Sequence, residues 1–114
     1  AYAEALSAQY VIAGFNKEEA ATFPDNTPEF VKAANGALSF STQDQVEVKS
    51  YISELTKTEI VQLMLEKKGM LQYVWSCYEE GDKMCWQCES CQRLKRALTE
   101  NNYLERFKKE GAFA

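Results

Sequence analysis

Four cysteines within fifteen residues constrain this chain more than any other feature. Cys77, Cys85, Cys88 and Cys91 follow the spacing C-x7-C-x2-C-x2-C and are all the cysteines of the sequence. Four thiolates at roughly 2.3 Å from one ion are a ligand set of structural zinc. The chain has no histidine, so four thiolates are the only closed set available. The pattern predicts one zinc ion with every position filled, which stabilises the fold and does no chemistry.

The residues between the cysteines suit such a site. The seven-residue gap after Cys77 is polar and contains Gly81, which favours a turn that folds Cys77 back onto the other three. Cys88 and Cys91 are three apart, so the first turn of a helix would place both on one face. Two other interpretations stay open: two disulfides, which need an oxidising compartment, or a thioredoxin-like redox pair.

Composition excludes several classes of protein. At 114 residues, 46% of them hydrophobic, the chain is one folded domain or part of one. Its net charge of -4 gives no overall basic field to attract nucleic acid or an anionic membrane. No apolar run reaches the roughly 20 residues that span a bilayer, and nothing in these residues resembles a secretory signal. We expect a soluble cytoplasmic protein. Its basic residues form a local patch, expected to be a solvated helical face, at Arg93, Lys95, Arg96, Arg106, Lys108 and Lys109.

Hydrophobic periodicity and capping residues predict the order α-β-loop-α-β-α-zinc-α. The first half is predicted to hold a helix over 1–9, a buried strand over 10–14, a loop over 15–26, and a helix that is capped by Thr27 and buries a stripe of Phe30, Val31, Ala34 and Leu38. A strand over 45–52, a helix begun by the capping box of Thr56 and Glu59, and a short extended segment over 71–75 follow. After the cysteines we expect a helix with the face Leu94, Ala97 and Leu98, and then a last turn or two before a frayed tail that ends in Phe113. Because the first residues already fit a helix, we expect the true N-terminus to lie upstream.

Strands preceded by helices indicate an α/β protein. Two strands cannot bury both faces of a parallel sheet, so further strands are needed to complete it.

Candidate chemical groups are few. Glu18, Glu19, Asp25 and Glu29 surround a proline turn and could act as general acids or bases, although acidic residues near helix starts more often cap the helix. Lys57 lies in the first turn of a helix, where the helix dipole disfavours a cation, so an anionic partner would explain it; the alternative is a solvated lysine. None of the five glycines forms a phosphate-binding loop.

Six short motifs extend this picture. They are residues 11–16 (VIAGFN), 23–25 (FPD), 28–30 (PEF), 56–60 (TKTEI), 75–78 (WSCY) and the cysteine triplet followed by Arg93. On these motifs the chain, from about Ala3 to Leu98, resembles the C-terminal half of the 7-cyano-7-deazaguanine synthase family, often called QueC. That family is similar to PP-loop ATP pyrophosphatase-type enzymes. Its members convert 7-carboxy-7-deazaguanine, ammonia and ATP into the nitrile precursor of queuosine.

The resemblance implies a fold and a set of ligands. Residues 1–70 would be the C-terminal part of a parallel-sheet, Rossmann-like PP-loop domain, and residues 71–114 a helical zinc subdomain with one structural ion on the four cysteines. Lys57 would lie near the nucleotide phosphates, and Asn16, Asp25 and Glu29 in part of the substrate pocket. The full-length enzyme would use ATP, Mg2+, ammonia and a small deazaguanine substrate, and would form a homodimer.

The chain also departs from the family pattern. Glu19 stands for an aspartate, Asn26 for a cysteine, Thr27 for an arginine, Trp86 for a glycine and Glu89 for an aspartate. The ATP-gripping Ser-Gly-Gly-x-Asp-Ser loop is not in these residues, so this chain alone is expected to be inactive and to need the missing N-terminal half. The alternative is a zinc-stabilised binding module for RNA or a protein partner, with residues 93–109 as its surface.

Overall fold

The computed structural model describes all 114 residues, which form two compact units, Ala1–Leu55 and Thr56–Ala114. The domain division expected after residue 70 stays a prediction. No helix is both long and apolar enough to cross a membrane.

The first unit is a mixed α/β arrangement around two short strands. Its elements, in chain order, are α1 Tyr2–Ala5, β1 Tyr10–Ile12, α2 Lys17–Ala20, α3 Pro28–Ser41 and β2 Glu47–Lys49. The strands are parallel, with Val11 opposite Val48. The predicted α/β class and the parallel pairing are therefore confirmed.

Several details of this unit differ from the prediction. α1 is one turn long and does not extend over 1–9. β1 is not buried, since all three of its residues are exposed; the apolar run predicts a buried strand, but a two-stranded sheet offers too little structure to cover it. The predicted loop over 15–26 contains α2 and a 3-10 turn at Pro24–Asn26. The turn at Pro24–Asn26 was predicted from its proline, whereas α2 was missed because it is a single turn started by the local cap Asn16.

Helix α3 begins as predicted. The Thr27 hydroxyl accepts a hydrogen bond from the Phe30 N–H at 3.1 Å, and Pro28 occupies the first helical position. The predicted stripe is only partly buried, and Phe30 is 42% exposed. What fixes α3 to the sheet is Asn35, whose side-chain oxygen accepts from the Val48 N–H at 2.7 Å and whose Nδ2 donates to the Val48 carbonyl at 3.0 Å.

The second unit is helical and holds most of the buried apolar side chains. Its helices are α4 Lys57–Glu66, α5 Glu89–Glu100 and α6 Leu104–Glu110. α4 begins with the predicted capping box, in which Thr56 and Glu59 bond each other's backbone N–H. The predicted face of α5 is confirmed. It packs with residues of α4, of α6 and of the segment between α4 and α5, and the buried core consists of Val61, Leu71, Cys77, Met84, Cys91, Leu94, Ala97, Leu98 and Phe107.

Three expectations for this unit are wrong. The segment 71–75 is not extended but contains a 3-10 turn, Leu71–Tyr73, that buries Leu71. Arg93 is not on a solvated face, since its side chain is 13% exposed and is ion-paired with Glu89 one helical turn away. The tail is not frayed, because Phe113 packs edge-to-face on Trp75 with ring centroids 5.6 Å apart. Of the three, only the packing of Phe113 on Trp75 joins residues far apart in the sequence, which a local pattern does not encode.

Replacing Asn35 with alanine should lower the free energy of unfolding of the first unit by about 1–3 kcal/mol, because two partly buried backbone groups of Val48 lose their partner. Urea denaturation and faster hydrogen exchange at the Val48 amide would report this loss. Ser39→Ala is the matched control, since the Ser39 hydroxyl bonds only the Gly36 carbonyl of its own helix. Equal stability of the two variants would contradict the role given to Asn35.

Candidate metal centre

The four cysteines meet at one point of the second unit. Their Sγ atoms all lie within 4.8 Å of one another, and all four are free thiols with no disulfide between them. A tetrahedral zinc ion with four thiolates at roughly 2.3 Å needs sulfur atoms about 3.8 Å apart. The donor set and its spread fit such an ion, so the four cysteines are positioned to bind a metal. Its identity as zinc stays a prediction.

Two different local structures bring the sulfurs together. Cys88 is the N-cap of α5 and Cys91 lies in its first turn, as their spacing predicts. Cys77 and Cys85 flank the polar loop, which turns at Gly81 with φ of 152°, a conformation that side-chain-bearing residues rarely adopt. The predicted glycine turn is therefore present in the loop that returns to the site.

Backbone N–H groups surround two of the sulfurs. Cys77 Sγ accepts from the N–H groups of Glu79 and Cys85, each at 3.4 Å. Cys85 Sγ accepts from Gln87 at 3.4 Å and from Cys88 at 3.3 Å. Such donors stabilise a thiolate and offset part of the negative charge that four cysteines would bring to one ion.

The thiols differ in how readily they ionise. The backbone N–H groups of Tyr78 and then Cys91 lower the pKa of Cys88 to about 6. The N–H groups of Cys88 and Gln87 likewise lower the pKa of Cys85. Burial raises the pKa of Cys91 to about 12. At neutral pH the metal would therefore meet a ready thiolate at Cys88 and would have to displace a proton from Cys91, so binding should strengthen as pH rises.

Trp86 occupies an unusual backbone conformation between Cys85 and Cys88. Its φ is 58°, in the left-handed region that favours glycine, and the resemblance places a glycine at this position in other members. Two contacts hold it there. Its ring meets Phe107 edge-to-face at 6.0 Å, and its carbonyl accepts from Gln92 Nε2 at 2.6 Å.

Residues outside the cysteine motif also shape the site, and the sequence analysis missed them. Met84 is buried, its N–H donates to the Phe113 carbonyl at 2.8 Å, and its sulfur accepts from the Ser76 N–H. The hydroxyls of Ser76 and Ser90 are 2.9 Å apart, joining the segment before Cys77 to the first turn of α5. The one sequence signal for these contacts was Met84, an apolar residue in an otherwise polar loop.

Three of the other candidate site residues belong to the first unit. Asn16 is 2% exposed, and its Oδ1 caps α2 by accepting from Glu18 and Glu19 N–H, each at 3.1 Å. Asp25 is exposed in the 3-10 turn, and its carboxylate accepts from Asn26. Glu29 is exposed in the first turn of α3.

Lys57 belongs to the second unit. It is the first residue of α4 and is half-buried. Its predicted contact with an anion, like the pocket roles of Asn16, Asp25 and Glu29, stays a prediction.

Removing the metal should unfold the C-terminal third, because four cysteines from separate segments lose their common partner. The expected signs are lost helical circular dichroism and new chymotryptic cuts after Trp75 on addition of a strong chelator. Restoring zinc should reverse both changes, and chelator already saturated with zinc serves as the control. A fold that survives complete metal removal unchanged would rule out the structural role.

Trp86→Gly should be more stable than Trp86→Ala by about 1 kcal/mol, since both lose the contact with Phe107 but only glycine relieves the left-handed backbone. Denaturation of the zinc-bound chain measures the difference. Tyr78, an exposed loop residue without positive φ, is the control position, where the alanine variant should be at least as stable as the glycine variant. If the glycine and alanine variants ranked the same in stability at both positions, the backbone conformation of Trp86 would not be the cause of the difference.

Comparison with known proteins agrees with these features. Residues 1–102 match the family model described as queuosine biosynthesis protein QueC. The 7-cyano-7-deazaguanine synthase of Carboxydothermus hydrogenoformans is 56% identical over 101 residues, which are 89% of this chain and 47% of the relative. The synthase of Pelotomaculum thermopropionicum is 54% identical over 97 residues, 85% of this chain and 44% of the relative. That of Bdellovibrio bacteriovorus is 52% identical over 102 residues, 90% and 44% of the two lengths.

The chain thus spans a little under half the length of the curated relatives it matches. The match includes all four cysteines and both strands. The chain belongs to the family described as queuosine biosynthesis protein QueC.

Proposed function

We propose that this chain is the metal-bearing part of a 7-cyano-7-deazaguanine synthase. The complete enzyme would be an ATP-dependent carbon-nitrogen ligase that converts 7-carboxy-7-deazaguanine and ammonia to 7-cyano-7-deazaguanine in queuosine biosynthesis. The observation that carries the proposal is the four-cysteine centre within a chain that is 56% identical to a relative of that name. The resemblance further suggests a homodimer and a Rossmann-like PP-loop sheet.

In this proposal zinc holds the fold and takes no part in the reaction. Four protein sulfurs fill a tetrahedral ion, leaving no position for water or substrate. The first turn of α5 supplies two ligands and the loop around Gly81 returns the other two, so the ion would fix the start of α5. Catalysis would then belong to groups elsewhere in the complete enzyme.

Four residues of this chain are proposed to serve binding of the substrate or the nucleotide. Lys57, at the start of α4, would meet nucleotide phosphates, where its charge could offset theirs. Asn16, Asp25 and Glu29 would line part of the deazaguanine pocket. Asn16 already caps α2, so its proposed contribution is to hold the α2 segment in place beside the substrate.

The residues of this chain do not fit ATP and Mg2+ by themselves. The five glycines, at positions 14, 36, 69, 81 and 111, are isolated along the chain and form no phosphate-cradling loop. We infer that the nucleotide loop belongs to the other half of the family's length, and that this chain alone is inactive.

The alternative, a binding module for RNA, is disfavoured by the charges on its supposed surface. Most of the basic side chains of residues 93–109 are paired with glutamates of the same helix, as in Arg93 with Glu89, Arg96 with Glu100, Arg106 with Glu110 and Lys108 with Glu105. The whole chain has a net charge of -4. Such a surface offers few free cations to phosphates.

The complete gene product should form the nitrile from 7-carboxy-7-deazaguanine, ATP, Mg2+ and ammonium, as detected by mass spectrometry, and should form none when ammonium is omitted. Lys57→Ala should raise the KM for ATP about tenfold, the loss expected for one charged hydrogen bond. Lys67→Ala, at the exposed opposite end of α4, should leave it unchanged. Absence of nitrile with every substrate present would overturn the proposal.

A further inference from the structure

The four cysteines of the candidate metal centre differ in their access to solvent. Cys77 and Cys91 are 8% and 0% exposed and belong to the hydrophobic core. Cys85 and Cys88 are partly exposed and pack against that core from outside. Oxidation of cysteine follows thiolate character and exposure, so a dissolved oxidant meets the sulfur atoms of Cys85 and Cys88 before those of the other two.

The same two cysteines are arranged to form a disulfide. They enclose only Trp86 and Gln87, which is the C-x2-C spacing of many redox-active pairs. Their sulfur atoms lie within 4.8 Å of each other, and the Cys88 N–H donates to Cys85 Sγ at 3.3 Å. The backbone of Cys88 thus already turns back onto Cys85, and closing the sulfurs to the roughly 2.05 Å of a disulfide needs only a local adjustment.

The surroundings of each sulfur assign the order of reaction. Cys88 is the N-cap of α5, where the positive end of the helix dipole favours a thiolate and so an attack on the oxidant. Cys85 Sγ accepts from the Gln87 and Cys88 N–H groups, which favours a second thiolate beside the first. Cys91 is also three residues from Cys88, but it is enclosed in the apolar core, which disfavours its thiolate as the second nucleophile.

A disulfide between Cys85 and Cys88 would remove half of the metal's donors. Cys77 and Cys91 would remain, and two thiolates do not close a tetrahedral site. The chain has no histidine to replace the lost ligands. Formation of this disulfide and retention of the metal are therefore mutually exclusive.

We propose that Cys85 and Cys88 are a peroxide-sensitive pair, whose oxidation to a disulfide releases the metal and loosens the second unit. This inference goes beyond the proposed function, because it rests on the geometry of the four cysteines and not on the reaction of the synthase. It concerns a reversible modification of the chain.

Two steps account for the atoms and electrons. The Cys88 thiolate attacks hydrogen peroxide, the O–O bond breaks, and Cys88 sulfenic acid and a hydroxide ion form. The Cys85 thiolate then attacks the sulfenic sulfur, so that the S–S bond forms and a second hydroxide leaves. The two sulfurs together give two electrons to the peroxide. A dithiol reductant returns both electrons and restores the two thiolates.

Treatment of the zinc-loaded complete gene product with hydrogen peroxide tests the pair. A chromogenic zinc chelator should report release of the bound zinc, and peptide mass spectrometry after alkylation should find a Cys85–Cys88 disulfide with Cys77 and Cys91 as free thiols. Dithiothreitol followed by zinc should restore zinc binding and helical circular dichroism. Retention of zinc under peroxide, or a disulfide that includes Cys77 or Cys91, would overturn the proposal.

Two histidine variants separate the attacked cysteine from a buried one. Histidine still binds zinc but forms no disulfide, so Cys88→His should slow peroxide-driven zinc release at least about tenfold. Cys77→His makes the same ligand change away from the pair and should keep the release rate within about twofold of the unaltered protein. Equal release rates in the two variants would contradict the role given to Cys88. If either variant fails to fold, the disulfide map of the unaltered protein still decides.

The measurements need no ATP or deazaguanine. Zinc release with the Cys85–Cys88 disulfide in a protein that forms no nitrile would reject the proposed function and support the pair. Nitrile formation by a protein that keeps its zinc under peroxide would reject the pair and leave the proposed function standing.

Discussion

The convergence of four sulfur atoms is the constraint on which the second unit depends. This unit extends only from Thr56 to Ala114, a length at which a hydrophobic core alone rarely supplies enough stability. Two of its core residues, Cys77 and Cys91, also belong to the four-cysteine cluster, so the core and the candidate metal centre are one structure. The helix α5 connects them, with the cysteines at its start and Leu94, Ala97 and Leu98 along the same buried side.

The features that the sequence predicted correctly are those carried by neighbouring residues. Spacing alone identified the four cysteines that converge, the capping box of Thr56 and Glu59, and the face of α5. Each depends on positions a few residues apart within a helix or turn, where geometry is fixed by the chain itself.

The features that it missed join distant parts of the chain. Asn35 reads as an ordinary polar residue in a helix, yet it bonds Val48 thirteen positions away. Phe113 reads as part of a loose tail, yet it packs on Trp75 and accepts from Met84. Only the folded structure brings these partners together, so no local pattern could reveal them. The prediction that β1 is buried was wrong for a related reason, since burial of a strand depends on other elements that pack on it, and this chain does not supply them.

The last twelve residues show how an unfavourable backbone can be kept at a metal loop. The family match ends at residue 102, and Phe107 and Phe113 lie beyond it. Phe107 is 1% exposed and meets the ring of Trp86, the residue whose left-handed backbone would suit glycine better. An aromatic contact is worth about 0.5–1.5 kcal/mol beyond the area it buries, which is comparable to the backbone cost of roughly 1–2 kcal/mol. The tail contact therefore offsets much of the backbone strain of Trp86 between Cys85 and Cys88.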